Sequence, residues 1–265
     1  MIIAEIGWNF LGDIDLAKRM IASSKKSGCK VVKFQLWNPN NLVAGEWDND
    51  GRREIYEKAY LDKKKYFDLY NFSKSLNIEC FASVFDQNSY EILKSVSSKL
   101  IKIPSVEAYD IDLIKKSLNN FEKVLVSTGA MKKNELENLL QFKDLDNFFI
   151  LHCVSSYPLE YKNTNFEKFF YLKENFKNVG YSGHAKGIND AIFALSNGAK
   201  VVEKHFTIDN NLEGRDNKFA ILPNELKFIC DFEKNVEDMK ISHGLDLQIN
   251  ENDVYKNYRG RFRKN

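Results

Sequence analysis

The feature that most constrains the fold is a strict alternation of short apolar runs with amphipathic segments along the 265 residues. The apolar runs are typical of strands buried on both faces. They predict strands at 2–6, 31–35, 79–83, 100–103, 123–127, 148–153, 179–182 and 201–205. Helices are predicted at 14–27, 62–76, 87–96, 110–118, 133–140, 165–175, 189–197 and 223–239. Such alternation implies right-handed parallel units, and eight of them close into a (β/α)8 TIM barrel. A doubly wound open sheet is the alternative, but it rarely contains eight such regular units.

Two segments lie outside this alternation. Residues 38–60 are polar and too long for a simple connector, so they are interpreted as a functional loop with some local helix. Residues 241–265 have no strong periodicity. We therefore predict one catalytic barrel domain at 1–240, followed by an irregular C-terminal tail that can pack across the barrel.

Composition excludes several functional classes. The formal net charge is +2 and no basic run is long enough to argue for a nucleic-acid partner; the short basic stretch at 259–264 is interpreted as a solvated end. The chain enters a strand at once and contains no long apolar run, so neither a signal peptide nor a membrane segment is expected. The four cysteines are widely spaced, which is typical of reduced thiols in a cytoplasmic protein. Of these, Cys153 is interpreted as a core thiol.

Two histidines stand just beyond the apolar runs of the last two strands. His184 follows the seventh run and His205 ends the eighth. The carboxyl ends of parallel neighbours face the same rim, where barrel active sites lie, so the two imidazoles can converge there. Imidazole suits several divalent metals, which makes the pair a candidate metal site. The alternative is that both are ordinary histidines near loops. His152 is interpreted as structural and His243 as exposed.

Lysines and serines occupy other strand ends of the predicted rim. Lys33 and Lys102, with Ser83, Ser105 and Ser127 nearby, would suit a small anionic ligand such as a phosphorylated carboxylate, because ammonium and hydroxyl groups donate to phosphate oxygens.

Two alternatives remain open for these side chains. Each lysine can form a structural pair with a glutamate at position 5, 107 or 203, and the serines can be strand-end caps. A Schiff-base aldolase using Lys33, Lys102 or Lys204 is a further alternative, but it leaves the two histidines unexplained.

Six motifs in order resemble those of the sialic acid synthase family. They are A-E-I-G-W-N at 4–9, V-V-K-F-Q at 31–35, S-T-G-A-M at 127–131, L-H-C-V-S-S-Y-P at 151–158, G-Y-S-G-H at 180–184 and E-K-H-F-T-I-D at 203–209. The resemblance implies a (β/α)8 barrel that condenses phosphoenolpyruvate with an N-acetylated hexose, such as N-acetylmannosamine or a diacetamido sugar. The product would be a nonulosonic acid, released with phosphate after C–O cleavage. It also implies a divalent metal, Mn²⁺ or Mg²⁺, a homodimer, and a cytoplasmic role in bacterial capsule or surface polysaccharide synthesis.

The resemblance also implies roles for individual residues. The metal ligands would be His184 and His205. Phosphoenolpyruvate would be held by Lys33, Ser83, Lys102, Ser105, Ser155 and Ser182. Glu5 and Glu107 would be the carboxylates nearest the chemistry, with Glu107 moving the proton of the attacking water. Tyr157 and Asp216 would face the sugar.

The sequence departs from the family pattern at three points. Gly183 replaces the aspartate of an S-D-H motif, which removes an expected hydrogen-bonding partner near His184. Phe10 replaces the histidine that usually follows Asn9. The third departure is that a small antifreeze-like domain, which in the family places an arginine on the acetamido sugar, is expected to be absent.

The expected loss of that arginine leaves the acceptor open. Candidate substitutes are Arg259, Arg261 and Arg263, or a separately encoded antifreeze-like domain protein. The remaining functional alternatives are a phosphoenolpyruvate-dependent synthase that uses another aldose or a sugar phosphate, and a barrel that binds ligand without turnover.

Overall fold

The eight predicted strands form a closed parallel barrel in chain order. The computed structural model describes residues 1–97 and 99–262, except for the side chain of Trp47. The strands are β1 Ile2–Gly7, β2 Val31–Leu36, β3 Glu79–Val84, β4 Leu100–Ile103, β5 Lys123–Ser127, β6 Phe148–Cys153, β7 Val179–Gly183 and β8 Val201–His205. The prediction of a (β/α)8 barrel is confirmed.

Ten α-helices lie within the described part of the chain. They are α1 Ile14–Lys26, α2 Arg52–Ala59, α3 Lys63–Ser75, α4 Gln87–Val96, α5 Ile111–Asn120, α6 Lys133–Asn138, α7 Phe166–Asn175, α8 Asn189–Ser196, α9 Pro223–Met239 and α10 Asn252–Asn257. None of the helices in these ranges is long and apolar enough to cross a membrane.

Aspartates begin four of the helices that surround the barrel. Asp13, Asp62, Asp86 and Asp110 each occupy an N-cap, and each accepts a hydrogen bond from the third residue of its helix at 2.7–2.9 Å. Such caps satisfy a backbone donor that the helix itself cannot pair. They determine where the chain turns from a strand-end loop into the outer helical layer.

Strand register brings the polar strand ends to the same height in the barrel. Glu5 on β1 is level with Lys33 on β2 and with His205 on β8. Ser83 on β3 is level with Lys102 on β4. Because side chains alternate between the two faces of a strand, the polar residues that share a register and a face point into the barrel together.

The two segments outside the predicted alternation contain more helix than expected. The 38–60 segment has two 3₁₀ turns, Pro39–Asn41 and Glu46–Asn49, before the complete helix α2. The tail contains a further 3₁₀ turn and α10, so its description as irregular is wrong in part. Its described residues 241–262 are exposed except for the partly exposed Asn252, and they therefore do not pack across the barrel.

Candidate active site

A large cavity opens at the carboxyl ends of the strands. Its volume is about 750 Å³. All twelve side chains predicted from the sequence line it: Glu5, Lys33, Ser83, Lys102, Ser105, Glu107, Ser155, Tyr157, Ser182, His184, His205 and Asp216. A cavity of this size can enclose two small substrates and is located where barrels carry their active sites.

A buried network of two lysines and two glutamates forms the floor of the cavity. Lys33 Nζ lies 2.8 Å from Glu5 Oε2 and 3.7 Å from Glu203 Oε1. Lys102 Nζ donates to Glu203 Oε2 at 2.9 Å. The structural-pair alternative is therefore correct for Glu5 and Glu203 but not for Glu107. Pairing does not remove the lysines from the site, because both still line the cavity.

The two glutamates of the network differ in protonation. It raises the pKa of Glu5 to about 7, although Lys33 opposes the rise, and the neighbouring Glu203 adds to it. Burial alone would also raise the pKa of Glu203, but Lys102 and Lys33 outweigh it and bring that pKa to about 2. Near neutral pH, Glu203 is thus fully ionised while Glu5 is partly protonated. Partial protonation of Glu5 leaves the lysine charges less than fully neutralised, which favours an anionic ligand, while burial lowers the pKa of Lys102 against the opposing effect of Glu203.

Hydroxyl groups surround the ammonium groups of the network. Lys33 Nζ donates to Ser83 Oγ at 2.7 Å, and Ser182 Oγ donates to Glu203 Oε1 at 3.1 Å. Ser127 Oγ is buried, has no hydrogen-bond partner within residues 1–97 and 99–262, and lines the cavity. It is therefore a donor available to a ligand, which agrees with its place among the strand-end serines expected near an anion.

A glycine permits the serines on the β5 side to approach each other. The Gly129 amide donates to Ser105 Oγ at 3.0 Å. A Cβ at position 129 would overlap with Ser155 Oγ and lie 2.7 Å from Ser105 Oγ. Gly129 thus keeps open a cradle of two hydroxyl groups, those of Ser105 and Ser155, that suits oxygen atoms of an anion.

His184 and His205 converge, as their positions predict, with ring centroids 5.5 Å apart. His184 Nδ1 donates to the Val154 carbonyl at 2.8 Å, which directs Nε2 away from that bond. His205 Nδ1 is buried without a hydrogen-bond partner in the described structure and lies 3.5 Å from Asp216 Oδ2. An orphaned buried imidazole nitrogen beside a second, oriented imidazole fits a divalent metal.

The donor set at this position is limited to two histidines. No group of three or more His, Cys, Asp or Glu side chains in the described ranges is arranged to hold a metal ion. Burial and the nearby His184 place the pKa of His205 well below its usual value, so this imidazole is in the neutral form that binds metals. A bound ion would keep coordination positions open for substrate or water, as catalytic metal sites do.

Cys153 is not a simple core thiol. Its Sγ lies 4.0 Å from His184 Nδ1 and 3.7 Å from Ser105 Oγ, and it lines the cavity. Burial alone would raise the pKa of this thiol, but His184, Lys102 and Ser105 together outweigh that effect and lower it. Cys153 therefore lies between the histidine pair and the serine cradle.

An aromatic cluster with two arginines borders the cavity, and the sequence analysis missed it. Trp8 stacks on Tyr56 of α2 with centroids 4.4 Å apart, and Trp37 meets both rings edge-on. Trp8 Nε1 donates to Asp216 Oδ2 at 2.7 Å. Arg52 and Arg215 also line the cavity. The only sequence signal was the position of Trp8 directly after the first strand, within the A-E-I-G-W-N motif.

The other residues considered from the sequence lie outside the cavity. Lys204 faces the helical layer and pairs with Asp190, so it is not available to a ligand in the barrel. His152 is fully buried, and its Nε2 contacts the Thr164 carbonyl at 2.7 Å, which is compatible with the structural role predicted for it. His243 is exposed, as predicted. Phe10, which replaces a family histidine, packs edge-on against Phe34 in the core.

These features define a (β/α)8 barrel with a candidate anion-binding floor and a candidate metal-binding histidine pair at the carboxyl ends of its strands. The NeuB family model matches residues 20–243, and the chain belongs to the NeuB family.

Named relatives agree with this membership. An N,N'-diacetyllegionaminic acid synthase of Campylobacter jejuni is 34% identical, over 87% of this chain and 74% of that protein. An N-acetylneuraminate-9-phosphate synthase of Drosophila melanogaster is 35% identical, over 85% of this chain, which spans 65% of that protein. The solved structure of an N-acetylneuraminic acid (sialic acid) synthetase from Leptospira borgpetersenii, in complex with citrate, has a TM-score of 0.83. It is 30% identical and the match covers 98% of this chain and 92% of that one.

The elevated pKa of Glu5 predicts a pH dependence of stability. Between the ordinary pKa of 4.5 and the native value of about 7, the native state binds more protons than the unfolded state, so stability falls as pH rises through this window. Glu5→Gln should remove this contribution, which is up to about 3 kcal/mol. Urea unfolding of both proteins from pH 5 to pH 8 measures it. We expect the variant to gain stability relative to wild type as pH rises, whereas parallel curves would contradict the burial-driven shift.

Proposed function

We propose that this chain is a phosphoenolpyruvate-dependent transferase of the sialic acid synthase type. It condenses phosphoenolpyruvate with an N-acetylated hexose, an N-acetylmannosamine-like or diacetamido sugar, and forms a nonulosonic acid and phosphate. The observation that carries this proposal is the convergence of two buried lysines and two buried histidines in one cavity. The names of the relatives, which are synthases of legionaminic and neuraminic acids, support the same reaction class.

Phosphoenolpyruvate would bind on the floor of the cavity. Its phosphate and carboxylate match the ammonium groups of Lys33 on β2 and Lys102 on β4, each of which is 2% exposed. The hydroxyls of Ser83, Ser105, Ser155 and Ser182 complete the set of donors. Partial protonation of Glu5 leaves this floor with excess positive charge, and that charge compensates the anion.

The reaction balances with one water molecule. C3 of phosphoenolpyruvate forms a bond to the aldehyde carbon of the sugar, water adds at C2, and the C2–O bond breaks as phosphate leaves. A divalent ion, Mn²⁺ or Mg²⁺, held by His184 and His205 would supply Lewis acidity to the aldehyde oxygen. Glu107 lines the cavity, and burial together with Asp110 and Asp86 raises its pKa, which suits a group that accepts the proton of the water.

The acceptor sugar would lie at the aromatic border of the cavity. Trp8, Trp37 and Tyr56 offer faces for the apolar side of a hexose, and Asp216, held by Trp8, offers oxygens for its hydroxyls. Tyr157 lies beside His184 with ring centroids 4.1 Å apart, so it borders both the sugar and the metal position.

An arginine of the barrel domain is an alternative to the three tail arginines as the group that contacts the acetamido group of the sugar. Arg259 and Arg261 stack on tail residues Tyr255 and Tyr258, and Arg263 lies outside the described residues. Arg215, in contrast, lines the cavity, where its Nη2 donates to the Tyr157 carbonyl at 3.3 Å. We propose that the Arg215 guanidinium contacts the acyl group of the acceptor sugar.

A sugar phosphate is the second candidate acceptor. The cavity border contains both Arg52 and Arg215, and paired guanidinium groups suit a phosphate. A relative named N-acetylneuraminate-9-phosphate synthase is compatible with such an acceptor.

The proposal also covers the domain organisation, the oligomeric state and the location of the protein. We place catalysis in residues 1–240 and treat 241–265 as a tail. The exposed apolar side chains of the tail, among them Leu245, Ile249 and Phe262, would suit a partner subunit in a homodimer or a separately encoded antifreeze-like domain. A cytoplasmic location fits the reaction, because phosphoenolpyruvate is a cytoplasmic metabolite.

Phosphate release from phosphoenolpyruvate, measured with Mn²⁺ and a panel of aldoses, tests the function. Release with an acetamido hexose is expected, whereas release only with sugar phosphates or other aldoses would favour the second candidate. Absence of release with every acceptor, by protein that still binds phosphoenolpyruvate, would refute both.

In the same assay His205→Ala should lower turnover by about 100-fold or more because it removes a metal ligand. The matched control, His243→Ala on the exposed tail, should retain full activity.

Gly129→Ala tests the anion cradle. The added methyl group would overlap with Ser155 Oγ and displace Ser105, so we expect the KM for phosphoenolpyruvate to rise by about tenfold or more from the loss of one or two hydrogen bonds. The KM for the sugar should change less. Gly45→Ala is the matched control, because a Cβ at that position meets no atom within 4 Å. Equal KM values for phosphoenolpyruvate in the two variants would argue against the cradle.

A further inference from the structure

A buried ion pair lies on the outer side of β8, behind the cavity. Lys204 stands between Glu203 and His205, whose side chains line the cavity, so its own side chain points to the helical layer. There its Nζ lies 3.0 Å from Asp190 Oδ1 and 2.9 Å from Oδ2. Both side chains are almost fully buried, at 2% and 0% exposure. The proposed chemistry uses neither of them.

The ammonium group also joins the two backbone segments that carry the histidines. Its third hydrogen bond goes to the Ala185 carbonyl at 2.6 Å, and Ala185 directly follows His184. Lys204 itself directly precedes His205. The Lys204 side chain thus connects the residue that follows His184 to β8, the strand that ends in His205.

The carboxylate of Asp190 occupies the space beside Gly183. A Cβ at position 183 would overlap with Asp190 Oδ2 and lie 2.6 Å from a ring carbon of Tyr181, whose hydroxyl donates to the same oxygen at 3.1 Å. An aspartate side chain at position 183 is absent, but a carboxylate still lies beside this position. Asp190 supplies one from the first turn of α8.

Stability alone does not explain this pair. Removing two charges from water costs several kcal/mol for each ion, and buried ion pairs can often be replaced by apolar side chains without loss of stability. The pair has a geometric effect that an apolar replacement lacks, because only a buried donor can hold the Ala185 carbonyl.

We propose that Asp190 and Lys204 are positioning residues that hold the imidazoles of His184 and His205 at the separation required for a divalent metal. Asp190 orients the ammonium group, and the ammonium group anchors the loop after β7. This inference rests on the metal-binding part of the proposed function.

Mn²⁺ affinity in the absence of substrates tests the inference, measured by the electron paramagnetic resonance signal of the free ion. Asp190→Asn keeps the side-chain shape but removes the charge that orients Lys204. We expect Mn²⁺ binding to weaken by about tenfold or more, the size of effect that partners of metal ligands usually have. Tyr181→Phe removes a different hydrogen bond to the same carboxylate and should leave the affinity within about twofold.

A double variant separates positioning from stability. Asp190→Asn leaves a buried lysine uncompensated and should lower Tm, whereas Asp190→Asn combined with Lys204→Met removes both charges and should recover Tm. The Ala185 carbonyl remains without its donor in the double variant, so the Mn²⁺ affinity should stay low.

Recovery of Mn²⁺ affinity together with Tm, or unchanged affinity in both variants, would overturn the inference while leaving the proposed function intact. Failure of the wild-type protein to bind Mn²⁺ would remove both the metal assignment and the inference. Phosphate release by a wild-type protein that binds no Mn²⁺ would remove the metal assignment but retain the reaction.

Discussion

The buried network of Lys33, Lys102, Glu5 and Glu203 is the interaction on which the site depends. A lysine inside a barrel is unfavourable unless a carboxylate lies near it, and here the carboxylates come from β1 and β8. Parallel register brings these strands to the required height. The closed barrel makes the network possible, because β8 can pair with β1 and Glu203 can reach lysines on β2 and β4.

The same network links the anion-binding floor to the histidine pair. Glu203 accepts from Ser182 on β7, and His205 is two residues beyond Glu203 on β8. The inner face of β8 thus carries Glu203 of the network and His205 of the histidine pair. Its outer face carries Lys204, which pairs with Asp190 of α8. The lysine–glutamate network and the histidine pair therefore share a single strand.

Sequence periodicity predicted the barrel and its strands to within one residue at each end, because strands buried on both faces leave a continuous apolar signal. The strand-end polar residues could be placed on one rim for the same reason. Some local helix was expected in the 38–60 segment, but the bounds of α2 and the Trp8–Tyr56 stack could not be predicted, since they depend on contacts between distant segments. The central position of Glu203, and the Asp190 carboxylate beside Gly183, likewise depend on side-chain directions that emerge only in the folded barrel.

The central claim is that Lys33 and Lys102 can bind phosphoenolpyruvate although each is paired with a glutamate. Isothermal titration calorimetry with phosphoenolpyruvate measures this binding most directly. Wild-type protein should bind the ligand, and Lys102→Met, with its fold verified by circular dichroism, should bind it at least about tenfold more weakly because a charge-assisted hydrogen bond is lost. Equal affinity in the two proteins, or no binding by folded wild-type protein, would contradict the account.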